Sequence, residues 1–460
     1  MTLSGARARR RPGVSTGLER TPLVLKAAYG LGVFGTTLAQ LSFALLLLFF
    51  YTDVMRLSPI QAGLVISLGS TIDIGANFGI AWLSARRKGG GERYRPFILY
   101  AAPLLGLTLF AMFYMPSIAP EYLFAYALVT HLAFRASYAA VMTPHSSLIS
   151  RLSDDADERA AIGGVKAIAN ALGVLTGAVL GIEAIENLPP ENLREGFVVF
   201  ALVFGALAGA SAFLSGWVCR ERVNRQSMDR DVSNPLLAAK AIGRNPKILV
   251  LFAAMLVFFV GYTILNSGLV YLFRYVVDAD FSTADALIAI SVGGVLMPSI
   301  WTMIIRRTSK AAVWTAGCTL VALVLGLQYL ISSSAATWLM IIAYVLVGAG
   351  KSGIVINYFA LTADAVDYGQ WRVGERVEAF SFALLAIMNK TGTALGAALL
   401  GFLLEWSGYV PGVAQTAGAK DSISWIACLV PAGFMLVSGL IMLAFRLDAK
   451  RHRAILEEMK

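Results

Sequence analysis

Charge is scarce in this sequence. Only 14% of its 460 residues are Asp, Glu, Lys or Arg, against about 25% in soluble globular proteins, and that shortfall excludes an ordinary water-soluble fold. Histidine and cysteine are rarer still, at three each. Cys219, Cys318 and Cys428 stand in or beside different apolar runs without metal-ligand spacing, so they read as packing residues with no redox role. There is no HExxH, no Walker loop, no GxSxG and no cysteine nucleophile at a recognisable distance from a histidine. These absences argue against an enzyme and against a nucleotide-driven pump, and no metal or organic cofactor is expected. The Arg-rich first 20 residues have no apolar core of their own, so no cleavable signal is read there.

What is present is apolar. Hydrophobic residues make up 57% of the chain, and its mean hydropathy is +0.70. A bilayer core of about 30 Å takes roughly 20 apolar helical residues to cross. Twelve runs of that length are found, near 26–51, 60–84, 96–115, 121–150, 160–183, 196–219, 247–273, 284–305, 310–331, 335–361, 378–406 and 421–446. The expected fold is therefore an all-α membrane protein of twelve transmembrane helices.

Basic residues are sorted among the connections. Arg7, Arg9, Arg10, Arg11, Arg20 and Lys26 lie in the N-terminal arm, and Arg86, Arg87, Lys88, Arg93 and Arg95 lie in the second connection. The central connection holds Arg220, Arg222, Arg225, Arg230, Lys240, Arg244 and Lys247, and the tail holds Arg446, Lys450, Arg451 and Arg453. The opposite connections hold only Arg56, Arg194, Arg274 and Lys420. Positive charge gathers on cytoplasmic loops, so both termini are expected in the cytoplasm. The net charge of +10 is then explained by loops facing anionic membrane lipid, with no nucleic-acid partner required.

The runs fall into two near-equal sets, which predicts an N-terminal bundle over 26–219 and a C-terminal bundle over 247–446. A cytoplasmic arm over 1–25 precedes them, a basic middle loop over 220–246 divides them, and a tail over 447–460 follows. Two matched six-helix halves around a mid-membrane site are the plan of a secondary transporter. Within the middle loop, Leu236, Leu237, Ala241 and Ile242 share one helical face, which reads as a short helix lying on the membrane surface. The halves echo each other. Lys166 precedes Ala171-Leu172-Gly173, and Lys390 precedes Ala394-Leu395-Gly396; the loops before them carry Glu158-Arg159 and Glu375-Arg376. Gly173, Gly177 and Gly181, and then Gly392 and Gly396, recur at four-residue spacing, which lets helix backbones approach closely.

A charge at mid-membrane costs at least about 2.5–3.5 kcal/mol on insertion scales, so each is a candidate for function. Asp73 is the one acid well inside a run, and the cations Arg135, Lys166, Lys351 and Lys390 stand against it. Asp73 paired with Lys390 suits a carrier that must change charge state between its two faces; the plainer alternative is a static pair pinning two helices. The surplus of cations points to an anion completing the site, or to side chains that reach out to the membrane surface. His131 and His145 read as polar cavity or loop contacts, not as catalysts.

With these residues in view, the chain resembles the glycoside–pentoside–hexuronide:cation symporter family, the melibiose-carrier branch of the major facilitator superfamily. The resemblance is carried by Ala28-Tyr29-Gly30-Leu31-Gly32 and Tyr51-Thr52-Asp53-Val54, by Asp73 with Gly91-Glu92-Arg93-Tyr94-Arg95-Pro96, and by Gly243-Arg244-Asn245-Pro246. The most specific stretch is Ala363-Asp364-Ala365-Val366-Asp367-Tyr368-Gly369-Gln370-Trp371 with Lys390-Thr391-Gly392. It implies two pseudo-symmetric six-helix bundles and cation-coupled symport by alternating access, with runs 1, 4, 7 and 10 lining the cavity. It also implies a bacterial inner-membrane location and a monomer whose partners are a small solute, a coupling cation and lipid.

The departures from the family pattern bear on mechanism. Where sodium-using members carry a second acid one turn after the first, this chain has Asn77; Ala76 and Ala139 stand at two further polar positions. Sodium wants several oxygen ligands and a proton needs one titratable group, so a proton is favoured over sodium. The family's galactoside positions align with Thr37, Met142, Ser146 and Val355. With Arg135, Lys166, Lys351 and Lys390 as the polar groups left, an anionic solute of hexuronide or glycoside type fits better than a neutral disaccharide. Alternatives on the same fold are an exporter or a lysolipid or organic-anion carrier; outside transport, a membrane sensor or assembly partner.

Overall fold

The structure, a computed structural model, describes residues 21–86, 92–153, 156–221, 235–277, 281–331, 336–374, 377–447 and 449–459. The basic run of the arm, Arg87 and Lys88, the middle-loop arginines 222–230 and the pair Glu375-Arg376 lie outside the described residues.

Long apolar segments without internal polar demand can satisfy their backbone in lipid only as helices, and every regular element among the described residues is helical. Span 1 runs Leu23–Val54 and span 2 Pro59–Arg86; spans 3 and 4 are Arg95–Met112 and Pro120–Leu152. Span 5 starts at Ala156 and continues to Glu186, and span 6 is Leu193–Val218. Spans 7, 8 and 9 are Pro246–Tyr275, Thr283–Arg307 and Lys310–Ile331. Span 10 comes in two pieces, Thr337–Val355 and Tyr358–Val373, followed by span 11 at Glu378–Trp406 and span 12 at Ala417–Met442. Ten of these rods are long and apolar enough to cross a membrane. Spans 2 and 4 are not among the ten; they are the rods that carry Asp73 and Arg135, with Ser, Thr, Asn and His beside them.

Spans 1–6 pack among themselves, as do spans 7–12. Small-residue stripes make the closest contacts. Gly173 and Gly177 face Thr37 and Leu41 of span 1, and Gly392 and Gly396 face Phe259 and Thr263 of span 7. The two bundles meet where span 2 lies on span 11, span 7 on span 1, and span 8 on the end of span 5. At the first of these a β-carbon on Gly401 would collide with the Pro59 carbonyl, so span 11 touches bare backbone there.

Span 1 widens at Ser42–Leu46 and again at Phe50–Val54, where the amide of Met55 reaches back to the Phe50 carbonyl. Widened turns free carbonyls, and Ser267 of span 7 donates to that of Ala44 at 3.0 Å. The outward surface is apolar, with Leu107, Val129, Val295 and Leu330 exposed, and Trp217, Trp338 and Trp406 exposed near span ends, where aromatic belts form in membranes.

Span 10 does not stop near residue 361. Asn357 turns its amide back to the Gly353 carbonyl at 2.7 Å and the chain resumes as a second helix through Val373. That helix carries Asp364 and Asp367, which meet Lys310 at 2.7 Å and His452 at 3.1 Å. The tail is a helix, Ala449–Glu458, clasped to span 10 by His452 and by a Trp371–Glu458 hydrogen bond. The middle connection holds a further helix, Pro235–Gly243.

Candidate functional site

Asp73 lies midway along span 2 and is 3% exposed. A carboxylate in such a place needs donors, and three spans supply them. Lys390 of span 11 and Arg135 of span 4 both reach Oδ2, the latter at 3.1 Å. Asn77, one turn along span 2, donates to Oδ1 at 2.8 Å, and its own carbonyl accepts from Thr143 at 2.5 Å. Both Asp73 oxygens are thus engaged by nitrogen donors, and the Asn77 oxygen is turned away toward span 4.

Arg135 is also buried. It leans on Ser70 at 3.4 Å, stacks over the Phe43 ring at 4.7 Å, and leaves its Nε without a partner among the described residues. Lys390 is more open, with a quarter of its side chain exposed. The cluster therefore balances two cations against one acid.

Asp73, Arg135 and Lys390 open onto a cavity of about 290 Å³ between the bundles, near the small end of the roughly 300–1,000 Å³ typical of ligand pockets. Gln40 and Phe43 of span 1, Tyr138 of span 4, Tyr262 and Asn266 of span 7, and Asn389 of span 11 share its wall. Among the described residues span 10 contributes none to this lining, where spans 1, 4, 7 and 10 were expected; spans 2 and 11 take part with 1, 4 and 7. Lys351 of span 10 reaches the wall indirectly, donating to the Tyr262 hydroxyl at 2.5 Å.

The other residues singled out from sequence lie elsewhere. Thr37 donates to Asn170 of span 5 at 3.0 Å. Met142 and Ser146 are half-buried on span 4 beyond Arg135, Lys166 is half-buried on span 5, and Val355 is 39% exposed at the break in span 10. None of these lines the cavity. His131 is fully buried, with Nδ1 3.3 Å from the Met112 sulfur, in space left by the missing side chain of Gly69. His145 stacks on Tyr29 at 4.5 Å and meets Ser215 at 3.0 Å. Both are packing residues.

Sequence reasoning passed over Tyr262, Asn266 and Asn389. A signal was there: Tyr262, Thr263, Asn266 and Ser267 form a polar stripe at helical spacing in an otherwise apolar span.

It also passed over a second buried acid. Asp53, at the end of span 1, is 3% exposed. It accepts from Thr52 at 2.6 Å, from the hydroxyls of Tyr275 and Tyr409, and from the Gly412 amide at 3.1 Å. The last three partners belong to the other bundle. Around them Thr52 meets Tyr271 at 3.0 Å, Arg56 donates to the Pro411 carbonyl, and Glu405 accepts from the Ile60 amide at 3.0 Å. Glu186 accepts from the Thr283 amide at 2.9 Å, and Arg274 donates to the Glu186 and Leu188 carbonyls. The face remote from the chain termini is closed by these links. Toward the other face, Lys26 pairs with Glu158, Lys310 with Asp364 and Asn245 with Ala365, each within one bundle. Beside Gly75 and Gly79, on the terminal side of span 2, no atom of another element among the described residues lies within 4 Å of where a side chain would begin.

The comparisons with known proteins agree with this architecture. A glucuronide carrier protein homolog of Escherichia coli (strain K12) is 27% identical over 94% of this chain and 94% of its own length. A putative sulfoquinovose importer of Salmonella typhimurium (strain LT2) is 26% identical over 94% of this chain and 92% of its own. Among solved structures, the nucleoside transporter NupG superposes with a TM-score of 0.66 over 92% of this chain and 98% of that one, at 15% identity, which speaks to the fold alone. The family model described as MFS/sugar transport protein matches residues 28–449. This chain therefore belongs to the MFS/sugar transport protein family as a melibiose-carrier-like member of the major facilitator superfamily, an integral membrane transporter and not an enzyme.

Proposed function

We propose that this transporter moves a small anionic sugar-like solute, of hexuronide or glycoside type, in symport with a proton. The observation that carries the reading is the Asp73 cluster: one carboxylate held by Arg135 and Lys390 at the wall of an interbundle cavity. One positive charge is left over, and buried charge of one sign is costly, so a ligand carboxylate or sulfonate is the natural complement. Relatives named for glucuronide and sulfoquinovose, both acidic sugars, support the same class.

The coupling argument follows from the same atoms. Asn77 presents its amide nitrogen to Asp73 and turns its oxygen to Thr143. Oxygens for a sodium shell are few at this carboxylate, while a proton needs only the carboxylate. An anion drawing Arg135 or Lys390 away would leave Asp73 short of cationic partners and make it a better proton acceptor. Substrate and proton would then bind together, which is what symport requires. In the membrane, the positive-inside pattern puts both termini in the cytoplasm of a bacterial cell. The cavity would then be sealed from outside and reached from inside, in a chain that works as a monomer.

The test is uptake into proteoliposomes holding the purified full chain. Glucuronides should accumulate under an imposed pH gradient, with little change when sodium is replaced by potassium. Asp73→Asn should abolish accumulation and leave part of the exchange. Uptake that needs sodium at constant pH, or an Asp73→Asn protein that concentrates substrate normally, would overturn the coupling assignment.

A further inference from the structure

Tyr262 sits in the middle of span 7, half-buried, with its ring parallel to Phe258 at 5.7 Å, and it lines the cavity. Lys351 of span 10 approaches it from behind, 2.5 Å from the hydroxyl and 4.5 Å from the ring centre. Lys351 makes no ion pair among the described residues. An ammonium group only donates, so in this bond the phenol oxygen is the acceptor and its own proton must go elsewhere. No hydrogen bond donated by the Tyr262 hydroxyl is present among the described residues: the Asn266 side chain, one turn on, donates to the Tyr262 backbone carbonyl at 2.9 Å and stands beside the phenol oxygen as a second donor. The wall of the cavity therefore carries an uncommitted O–H whose oxygen is polarised by a cation.

We propose that Tyr262 is a substrate-contacting, specificity-determining residue: backed by Lys351, it donates a charge-assisted hydrogen bond to an acceptor oxygen of the transported solute. This inference rests on the anionic-solute reading above. It adds a contact on the second bundle opposite Arg135 of the first, so that one ligand would be gripped by both bundles. A hydroxyl in the wall of a binding cavity discriminates strongly. A ligand with an acceptor oxygen there satisfies it, and a ligand with only methylene there leaves it buried and unpaired. Lys351 acts through Tyr262 and is a positioning residue, as it does not itself reach the lining.

The experiment measures binding of p-nitrophenyl β-D-glucuronide to the purified full-length protein by calorimetry. Tyr262→Phe keeps the ring, the Phe258 stack and the span packing while removing the hydroxyl, and should weaken binding about tenfold. Lys351→Met keeps the hydroxyl and removes the polarising charge with its hydrogen bond to the phenol oxygen, and should weaken binding about threefold. This second variant keeps the test usable where Tyr262→Phe folds poorly. Tyr262→Phe binding as tightly as wild type would overturn the inference alone. So would equal losses in the two variants, since a pair that merely fastens span 7 to span 10 is broken equally from either side. Wild-type protein that binds no acidic sugar would overturn the reading beneath it, and the inference with it.

Discussion

Replacing Asp53 by Asn tests whether the remote face is held shut by one carboxylate. Each of its oxygens accepts two hydrogen bonds, Tyr275 and Gly412 on Oδ1 and Thr52 and Tyr409 on Oδ2. Three of the four donors come across the interface between the bundles. Asparagine keeps one oxygen and turns a donor amide toward the remaining hydroxyls. A hydrogen bond to a charged acceptor contributes about 1.5–3 kcal/mol and one to a neutral acceptor about 0.5–1.5 kcal/mol. The substitution loses one pair of bonds and weakens the other, with partial recovery as a phenol rotates to accept from the new amide. Counting only the bonds that cross the interface, a net loss of at least about 2 kcal/mol from the closed arrangement follows, roughly 30-fold or more in its equilibrium with an open one. Spin labels on Tyr122 and Lys420, exposed positions at the remote ends of the two bundles, would report it by dipolar distance. The three native cysteines are buried and easily replaced beforehand. Asp53→Asn should enlarge the long-distance population by that factor. A wild-type protein that shows both populations and an Asp53→Asn protein with the same ratio would refute the argument.

Asp73→Ala should destabilise the protein by about 3–5 kcal/mol, because it strands Arg135 and Lys390 without their acid; adding Lys390→Met should recover part of the loss, and a double-mutant cycle on thermal unfolding that proves additive would dissolve the pairing. Gly401→Ala should lower the melting temperature, since its β-carbon would collide with the Pro59 carbonyl and push span 11 off span 2, at a cost of about 1–3 kcal/mol. Gly75→Ala, which meets open space on span 2, should be neutral or stabilising by up to about 1 kcal/mol; equal melting shifts for the two alanines would contradict the packing described.

How far the sequence speaks depends on whether the signal is local. The membrane spans are written in hydropathy, and the division into bundles in the basic middle loop. Asp73 announces its need for a cation because an isolated acid in an apolar run has no other remedy, and Lys390 answers it from the matching depth of span 11. That Arg135 joins the same carboxylate is not written anywhere, as it depends on how spans 2, 4 and 11 rotate against one another. Thr37, Met142, Ser146 and Val355 were placed by correspondence with a sugar site, and which face of spans 1, 4 and 10 turns to the cavity of about 290 Å³ is not written in that correspondence. Tyr262 was passed over because tyrosine counts as ordinary in a membrane span, and only its contact with Lys351 distinguishes it. Asp53 escaped for the opposite reason: an acid at the end of a span reads as solvated, and its burial comes from Tyr409 and Gly412, more than 350 residues away in the chain.

The closure around Asp53 also decides how this protein can be inhibited. On the remote face in this state the bundles are joined by the bonds of Asp53 to Tyr275 and Tyr409, the Thr52–Tyr271 bond and the Arg56–Pro411 contact, which stand between a compound offered there and the cavity. Competition for the cavity must then come from the face that bears the termini. A blocker acting from the remote face has to work as a wedge, selecting the arrangement in which Asp53 has released its tyrosines. Screens that offer compounds to the remote face and to the face bearing the termini would therefore return different chemistry: bulky wedges from one, small mimics of the solute from the other.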